Sequence, residues 1–213
     1  MSIQQPTDNE LIVSNLSSIR GGKIIFDKLS FSLKSGEILL VTGENGSGKS
    51  TLLSNLASIL PPTSGNISFT PKEPQKVRYI GHKLAIKSTL TVRQNLSFWC
   101  KLYNANNVFF EKSVNDFCLS GILDVQINKL SAGLKKRVSL ARLSIGESLL
   151  WILDEPYTNM DKKNIHLLNK LIKINLNKGI IVIIASHQPI LVDSHKSLNL
   201  TYTPSYISNL QEN

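Results

Sequence analysis

Gly43-Glu44-Asn45-Gly46-Ser47-Gly48-Lys49-Ser50-Thr51 is the stretch whose reading decides the fold. It has the spacing Gly, four residues, Gly-Lys-Ser, which is a phosphate loop when a strand precedes it and a helix follows. Glu37–Thr42 is apolar and reads as a buried strand, and Lys49–Leu60 reads as a helix stopped by Pro61-Pro62. Gly43, Gly46 and Gly48 permit backbone angles that a Cβ forbids, so successive N–H groups can turn toward phosphate oxygens. The helix N-terminus adds its partial positive charge. Glu44, Asn45, Ser47 and Thr51 complete the expected nucleotide site. Lys49 is expected on the β- and γ-phosphates and the Ser50 hydroxyl on Mg²⁺. The blander alternative is a glycine-rich turn with a surface lysine, and the flanking strand and helix weigh against it.

Three later stretches fit the same chemistry. Leu149–Leu153 is an unbroken apolar run that ends in Asp154-Glu155. Such a run reads as a central parallel strand, and ligands bind at the carboxyl ends of such strands. Asp154 is expected to hold Mg²⁺, directly or through water, and Glu155 to be the general base for the attacking water. An acidic turn after a strand is common, and only the upstream phosphate loop favours the catalytic reading. Gly179–Ala185 is a second buried strand, followed by Ser186-His187, which places His187 near a γ-phosphate. His82, His166 and His195 have no such placement and are read as loop or surface residues. Leu130-Ser131-Ala132-Gly133 precedes a predicted helix over Leu134–Arg142. Ser131, Ala132 and Gly133 thus form a second helix N-terminal anion site. A second cradle in one chain suggests two chains that close each other's nucleotide. Ser131 as a plain helix cap is the structural alternative.

With these residues in order, the chain resembles the ATP-binding-cassette ATPases over nearly its whole length. The resemblance implies an α/β P-loop NTPase with a RecA-like core, an antiparallel β subdomain and an inserted helical subdomain. It makes Leu130–Gly133 the signature that contacts ATP across a head-to-tail dimer. It places Asp161 in the loop after the carboxylates and makes His187 the switch histidine. A narrower similarity is to the ATP-binding subunits of the cytochrome c maturation haem exporter. It rests on Arg20-Gly21-Gly22, Tyr79-Ile80-Gly81-His82, Ile86-Lys87, Leu90-Thr91, Asn95-Leu96-Ser97-Phe98 and the Ala of Leu-Ser-Ala-Gly.

Three positions depart from the family pattern. Lys83 stands where cassette ATPases carry a Gln that touches Mg²⁺ and water. An ammonium has donors only and cannot ligate a metal, which leaves Lys83 either a phosphate contact or a place on the partner-docking face. Leu134 replaces the Gln that usually continues the signature. Arg20 aligns near the aromatic that stacks on adenine, and a guanidinium can also stack on a base.

The whole chain bounds these readings. Its 213 residues, 41% hydrophobic, are expected to form one domain with a helical insert over about 83–142. No segment reaches the ~20 apolar residues of a membrane span. Met1–Glu10 is polar, with two acids, and resembles neither a secretory signal nor a transit peptide. Cys100 and Cys118 lack metal spacing and read as reduced, small apolar residues. The net charge of +9 is scattered and not interleaved with aromatics as in base-stacking surfaces. It therefore reads as a solvated surface facing anionic lipid, with no nucleic acid expected. Lys162–Asn177 reads as an amphipathic helix that buries Ile165, Leu168, Leu171, Ile172 and Leu176. Leu198–Asn213 reads as a loose polar end.

The resulting expectation is an ATPase with ATP and Mg²⁺ as cofactors, working as a homodimer of cassettes on integral membrane subunits. It would lie peripherally on the cytoplasmic face of a bacterial inner membrane, or on the matrix face in a mitochondrion. The resemblance implies haem export or release for c-type cytochrome assembly. No direct haem binding is expected, because there is no Cys-x-x-Cys-His. Another exporter engine for lipid or drug, or a soluble cassette acting on ribosomes or DNA, are the alternatives.

Overall fold

A computed structural model describes residues 9–70, 76–187 and 195–201. Two sheets divide the described residues. β1 (Glu10–Arg20), β2 (Lys23–Lys34) and β4 (Ser64–Thr70) form an antiparallel sheet in the order β2-β1-β4. β3 (Ile38–Thr42), β5 (Val77–Ile80), β6 (Leu150–Asp154), β7 (Ile181–Ala185) and β8 (Lys196–Asn199) form a parallel sheet in the order β5-β6-β7-β3-β8.

The central strands are apolar at nearly every position because both faces are covered. Every residue of β6 and β7 is buried. Alternate side chains feed two separate cores. Leu39, Val41, Ile152 and Ile183 face Leu52, Leu53 and Leu56 of α1 (Lys49–Leu56) and the antiparallel sheet. Leu40, Leu153, Val182 and Ile184 face Leu168 and Ile172 of α5 (Lys162–Leu176) and the helical region. The two-residue period of the strand makes this division.

The parallel register places the chemistry. Val41 pairs with Ala185, and Ala185 with Asp154. Ile80 pairs with Leu153. The residues that follow these strands therefore leave the sheet at one edge: Gly43, Glu155, Ser186-His187 and Gly81-His82. This is the carboxyl edge, where ligands bind in open α/β sheets.

The helical region holds α2 (Val92–Leu102), α3 (Asn107–Asp116) and α4 (Ala132–Leu140), with 3-10 turns between and after them. Thr91 starts α2 with a full capping box with Gln94, which satisfies two otherwise free N–H groups. The buried Asn95 side chain bonds the backbone of Lys87 and Thr91. That ties down the segment between β5 and α2.

Several expectations change. α1 ends at Leu56 rather than Leu60. Ser58 takes φ +55, and the Asn55 side chain donates to the Leu60 carbonyl at 2.7 Å, so the chain turns before the prolines. The predicted helix over Leu134–Arg142 begins at Ala132 and tightens to 3-10 geometry at Ala141. The stretch from Leu198 is not loose at its start, because Lys196–Asn199 pairs with β3 and Leu200 is buried; residues 202–213 lie outside the described residues. Cys100 is buried as read, but Cys118 is exposed. Of the apolar face assigned to α5, Ile165 is only partly buried, while Asn164, Asn169 and Asn175 share the buried side.

Candidate functional site

β3 delivers the Gly43–Lys49 loop to the carboxyl edge. Gly43 has φ +141, and a Cβ there would stand 2.3 Å from the Leu200 carbonyl oxygen and 2.5 Å from Ser47 Oγ. Only glycine fits between the end of β8 and the loop. Gly48 caps α1 with φ +100, and a Cβ there would strike Ile25 Cγ2 of β2 at 2.3 Å. The Lys49 ammonium folds back to donate to the Gly43 and Glu44 carbonyls at 2.7 and 2.9 Å. The Ser47 hydroxyl is buried without a hydrogen-bond partner.

β6 delivers the carboxylates. Asp154 is 2% exposed at the end of the strand. Glu155 takes a left-handed backbone, φ +46, and its N–H donates to the Ala185 carbonyl at 2.9 Å. Its side chain lines the cleft, and Oε1 is buried and accepts no hydrogen bond. β7 delivers His187, whose Nε2 lies 2.9 Å from Asn45 Oδ1 and 3.6 Å from Glu155 Oε1.

These residues line one cleft of about 470 Å³. Asn45, Gly46, Gly48, Lys49, Ser50 and Thr51 come from the loop and α1, and Asp154, Glu155 and His187 from the ends of β6 and β7. The cleft suits a nucleotide tail by its own chemistry. The loop N–H groups and an ammonium are donors for phosphate oxygens, whereas Ser47 is buried in the loop and does not line the cleft. The orphaned buried Oε1 is an acceptor for a water proton, as a general base requires. Ser50 and Asp154 could together hold Mg²⁺, which binds through few protein oxygens and completes its shell with phosphate and water. Among the described residues, no cluster of three or more His, Cys, Asp or Glu side chains could hold a metal alone.

The remaining expected residues are placed differently. Ser131 caps α4, its hydroxyl accepting from Leu134 N–H at 3.3 Å, and is exposed beside Ala132. Neither lines the cleft. Asp161 caps α5 by accepting from Asn164 N–H at 2.8 Å. The Arg20 guanidinium donates to the Pro61 carbonyl at 2.8 Å, and Ile25, not Arg20, lines the cleft. Lys83 is exposed and lines an adjoining groove of about 620 Å³ that also touches Ser50 and Asp154.

His82 is the residue that reasoning from the sequence passes over. It lines both the cleft and the groove. A signal exists: it follows β5 as His187 follows β7, at the same sheet edge. Thr158, between the carboxylates and Asp161, also lines the cleft.

Residues 26–158 match the ABC transporter family. A cytochrome c biogenesis ATP-binding export protein, CcmA, of Wolbachia pipientis wMel is 40% identical over 181 residues, 81% of this chain and 87% of its own. The chain belongs to the CcmA branch of the ABC transporter family. CcmA of Rhizobium etli is 40% identical over 202 residues, covering 90% and 94% of the two chains. CcmA of Vibrio vulnificus is 35% identical, covering 87% and 96%. A putative ABC transporter ATP-binding protein of Pyrococcus furiosus superposes with a TM-score of 0.77 at 23% identity over 90% and 97% of the chains. At that identity it speaks for the fold alone. Membership in this branch makes the chain an ATP-hydrolysing ABC subunit. No helix among the described residues is long and apolar enough to cross a membrane.

Proposed function

We propose that this chain is the ATP-hydrolysing engine of a haem exporter for c-type cytochrome assembly, docked on the cytoplasmic face of integral membrane subunits. The observation that carries the catalytic part is the single cleft that joins the phosphate loop to Asp154, Glu155 and His187. The likeness to cytochrome c biogenesis export proteins supports the assignment of the cargo.

In this reading the loop N–H groups and Lys49 bind the phosphates. Mg²⁺, held by Ser50 and Asp154, would supply charge neutralisation at the transferring phosphoryl group. Glu155 accepts the proton of the attacking water, and His187, lying between Asn45 and Glu155, senses the γ-phosphate. A second copy offers Ser131 and Gly133 to the open side of the cleft. Closure and opening of that pair drive the membrane subunits.

Purification from a membrane extract tests the assignment. Integral membrane subunits should co-purify, and their deletion should abolish c-type cytochrome formation, as should Glu155→Gln. Recovery of ribosomes or nucleic acid in place of a membrane partner would refute it. So would normal cytochrome c formation in a strain carrying Glu155→Gln.

A further inference from the structure

α4 does more than carry the exposed Ser131. It touches the segment behind the catalytic carboxylates at two points. The first is Lys136, which lies in the second turn of the helix and is 5% exposed. Its Nζ donates to the Glu155 carbonyl at 3.0 Å. The second is Gly133, where a Cβ would lie 3.3 Å from the Asn159 carbonyl oxygen. Glu155 and Asn159 are both left-handed non-glycine residues, with φ +46 and +62. Such a backbone costs of order 1–3 kcal/mol and persists only where its surroundings hold it. Glu155 is held on both sides, its N–H by the Ala185 carbonyl and its own carbonyl by the Lys136 ammonium at 3.0 Å and, at a longer 3.4 Å, by the Thr158 N–H.

A buried ammonium is costly unless compensated. Burial lowers the Lys136 pKa, and the Asp154 and Glu155 carboxylates act in the opposite direction. The lysine therefore has a task that packing does not supply.

We infer that Lys136 is a positioning residue for Glu155: by clamping the Glu155 carbonyl it fixes the backbone that aims the carboxylate into the cleft. A consequence for the dimer rests on the two-chain reading proposed above. Ser131 and Lys136 stand on one short, rigid helix. The end that meets the partner's nucleotide and the side chain that sets this chain's own base then move together. Each site's chemistry becomes conditional on the neighbouring site.

The test uses the full chain with its co-purified membrane subunits. Lys136→Met should lower kcat about 10- to 100-fold while KM for ATP stays within about twofold. Lys136→Arg, which keeps a charged donor, should recover most of the rate. In a Glu155→Gln background Lys136→Met should cost nothing further, since a residue that acts through Glu155 has nothing left to position. Lys136→Gln covers the case in which the Met variant does not fold, and it must show the same kcat-only defect in smaller degree. An unchanged kcat, a parallel loss of nucleotide affinity, or a full extra loss in the Glu155→Gln background would overturn the inference. ATP-driven dimerisation of the Glu155→Gln protein, followed by gel filtration, separates the two ideas. If that protein stays monomeric, the two-chain reading fails, whereas a dimer combined with an unaffected Lys136→Met kcat condemns only the clamp.

Discussion

Glu155 Oε1 and His187 Nε2 lie 3.6 Å apart, too far for a hydrogen bond and close enough for an ion pair. The imidazole instead meets Asn45 Oδ1 of the phosphate loop at 2.9 Å. The carboxylate oxygen is left buried and free of hydrogen bonds. A group buried without a partner costs about 1–3 kcal/mol. In the proposed mechanism the oxygen left free is the one that receives the attacking water.

Glu155→Gln should therefore bind ATP normally and hydrolyse it about 10²- to 10⁴-fold more slowly, the usual loss for a general base. Steady-state ATPase of the variant, assembled with its membrane subunits, checks this. A rate near wild type would assign the base elsewhere.

Lys49→Ala and Ser131→Arg should fail in different ways. Lys49 donates to two carbonyls of the loop, and in the proposed site its ammonium is the point charge on the phosphates, so its loss should weaken ATP binding at least about tenfold, or about 1.4 kcal/mol. Ser131 is exposed at the start of α4 and outside the cleft. Ser131→Arg should keep binding of the first ATP and block dimer formation in the Glu155→Gln background. Equal losses of binding in the two variants would refute the two-chain site.

Lys83 lines the groove that shares Ser50 and Asp154 with the cleft. If it occupies the place of a metal-contacting amide, Lys83→Gln should lower the Mg²⁺ concentration for half-maximal ATPase, because an amide carbonyl accepts and an ammonium repels the metal. A Mg²⁺ titration of both proteins with the same partners decides. Identical midpoints would assign Lys83 to the docking face alone.

Gly43→Ala should be severe. The new Cβ would stand 2.3 Å from the Leu200 carbonyl, and both strands are anchored. The expected result is a stability loss of about 1–3 kcal/mol together with weakened ATP binding. Gly65→Ala is the control, since its Cβ would strike the Asn15 carbonyl at 2.3 Å in the antiparallel sheet. It should lower the melting temperature without a comparable effect on nucleotide affinity.

Much of the site is legible in the sequence because each part is a strand end plus a short local motif. Apolar runs over Glu37–Thr42, Leu149–Leu153 and Gly179–Ala185 locate three strands, and the residues after them locate the cleft. What escapes has no local signature. Lys196-Ser-Leu-Asn199 shows no convincing β pattern, and it is a strand because β3 has an open edge to fill. Lys136 sits between Lys135 and Arg137 in a basic run, and only the helix orientation buries it while its neighbours stay partly exposed. His82 escapes although the rule that selects His187 applies to it equally. The end of α1 depends on a side-chain bond from Asn55, which no propensity foretells.

The pairing of β3 also sets a timetable. Its two neighbours, β7 and β8, come from residues 181–185 and 196–199, while β3 itself ends at Thr42. At ~5–20 residues/s of synthesis, a gap of roughly 140 residues is a delay on the order of 10 s. Through that interval the newly made Ile38–Thr42 has neither of its strand partners, and its apolar face must be shielded from other chains. The loop for ATP directly follows β3, yet the sheet that fixes its base is complete only once β7 and β8 have been made.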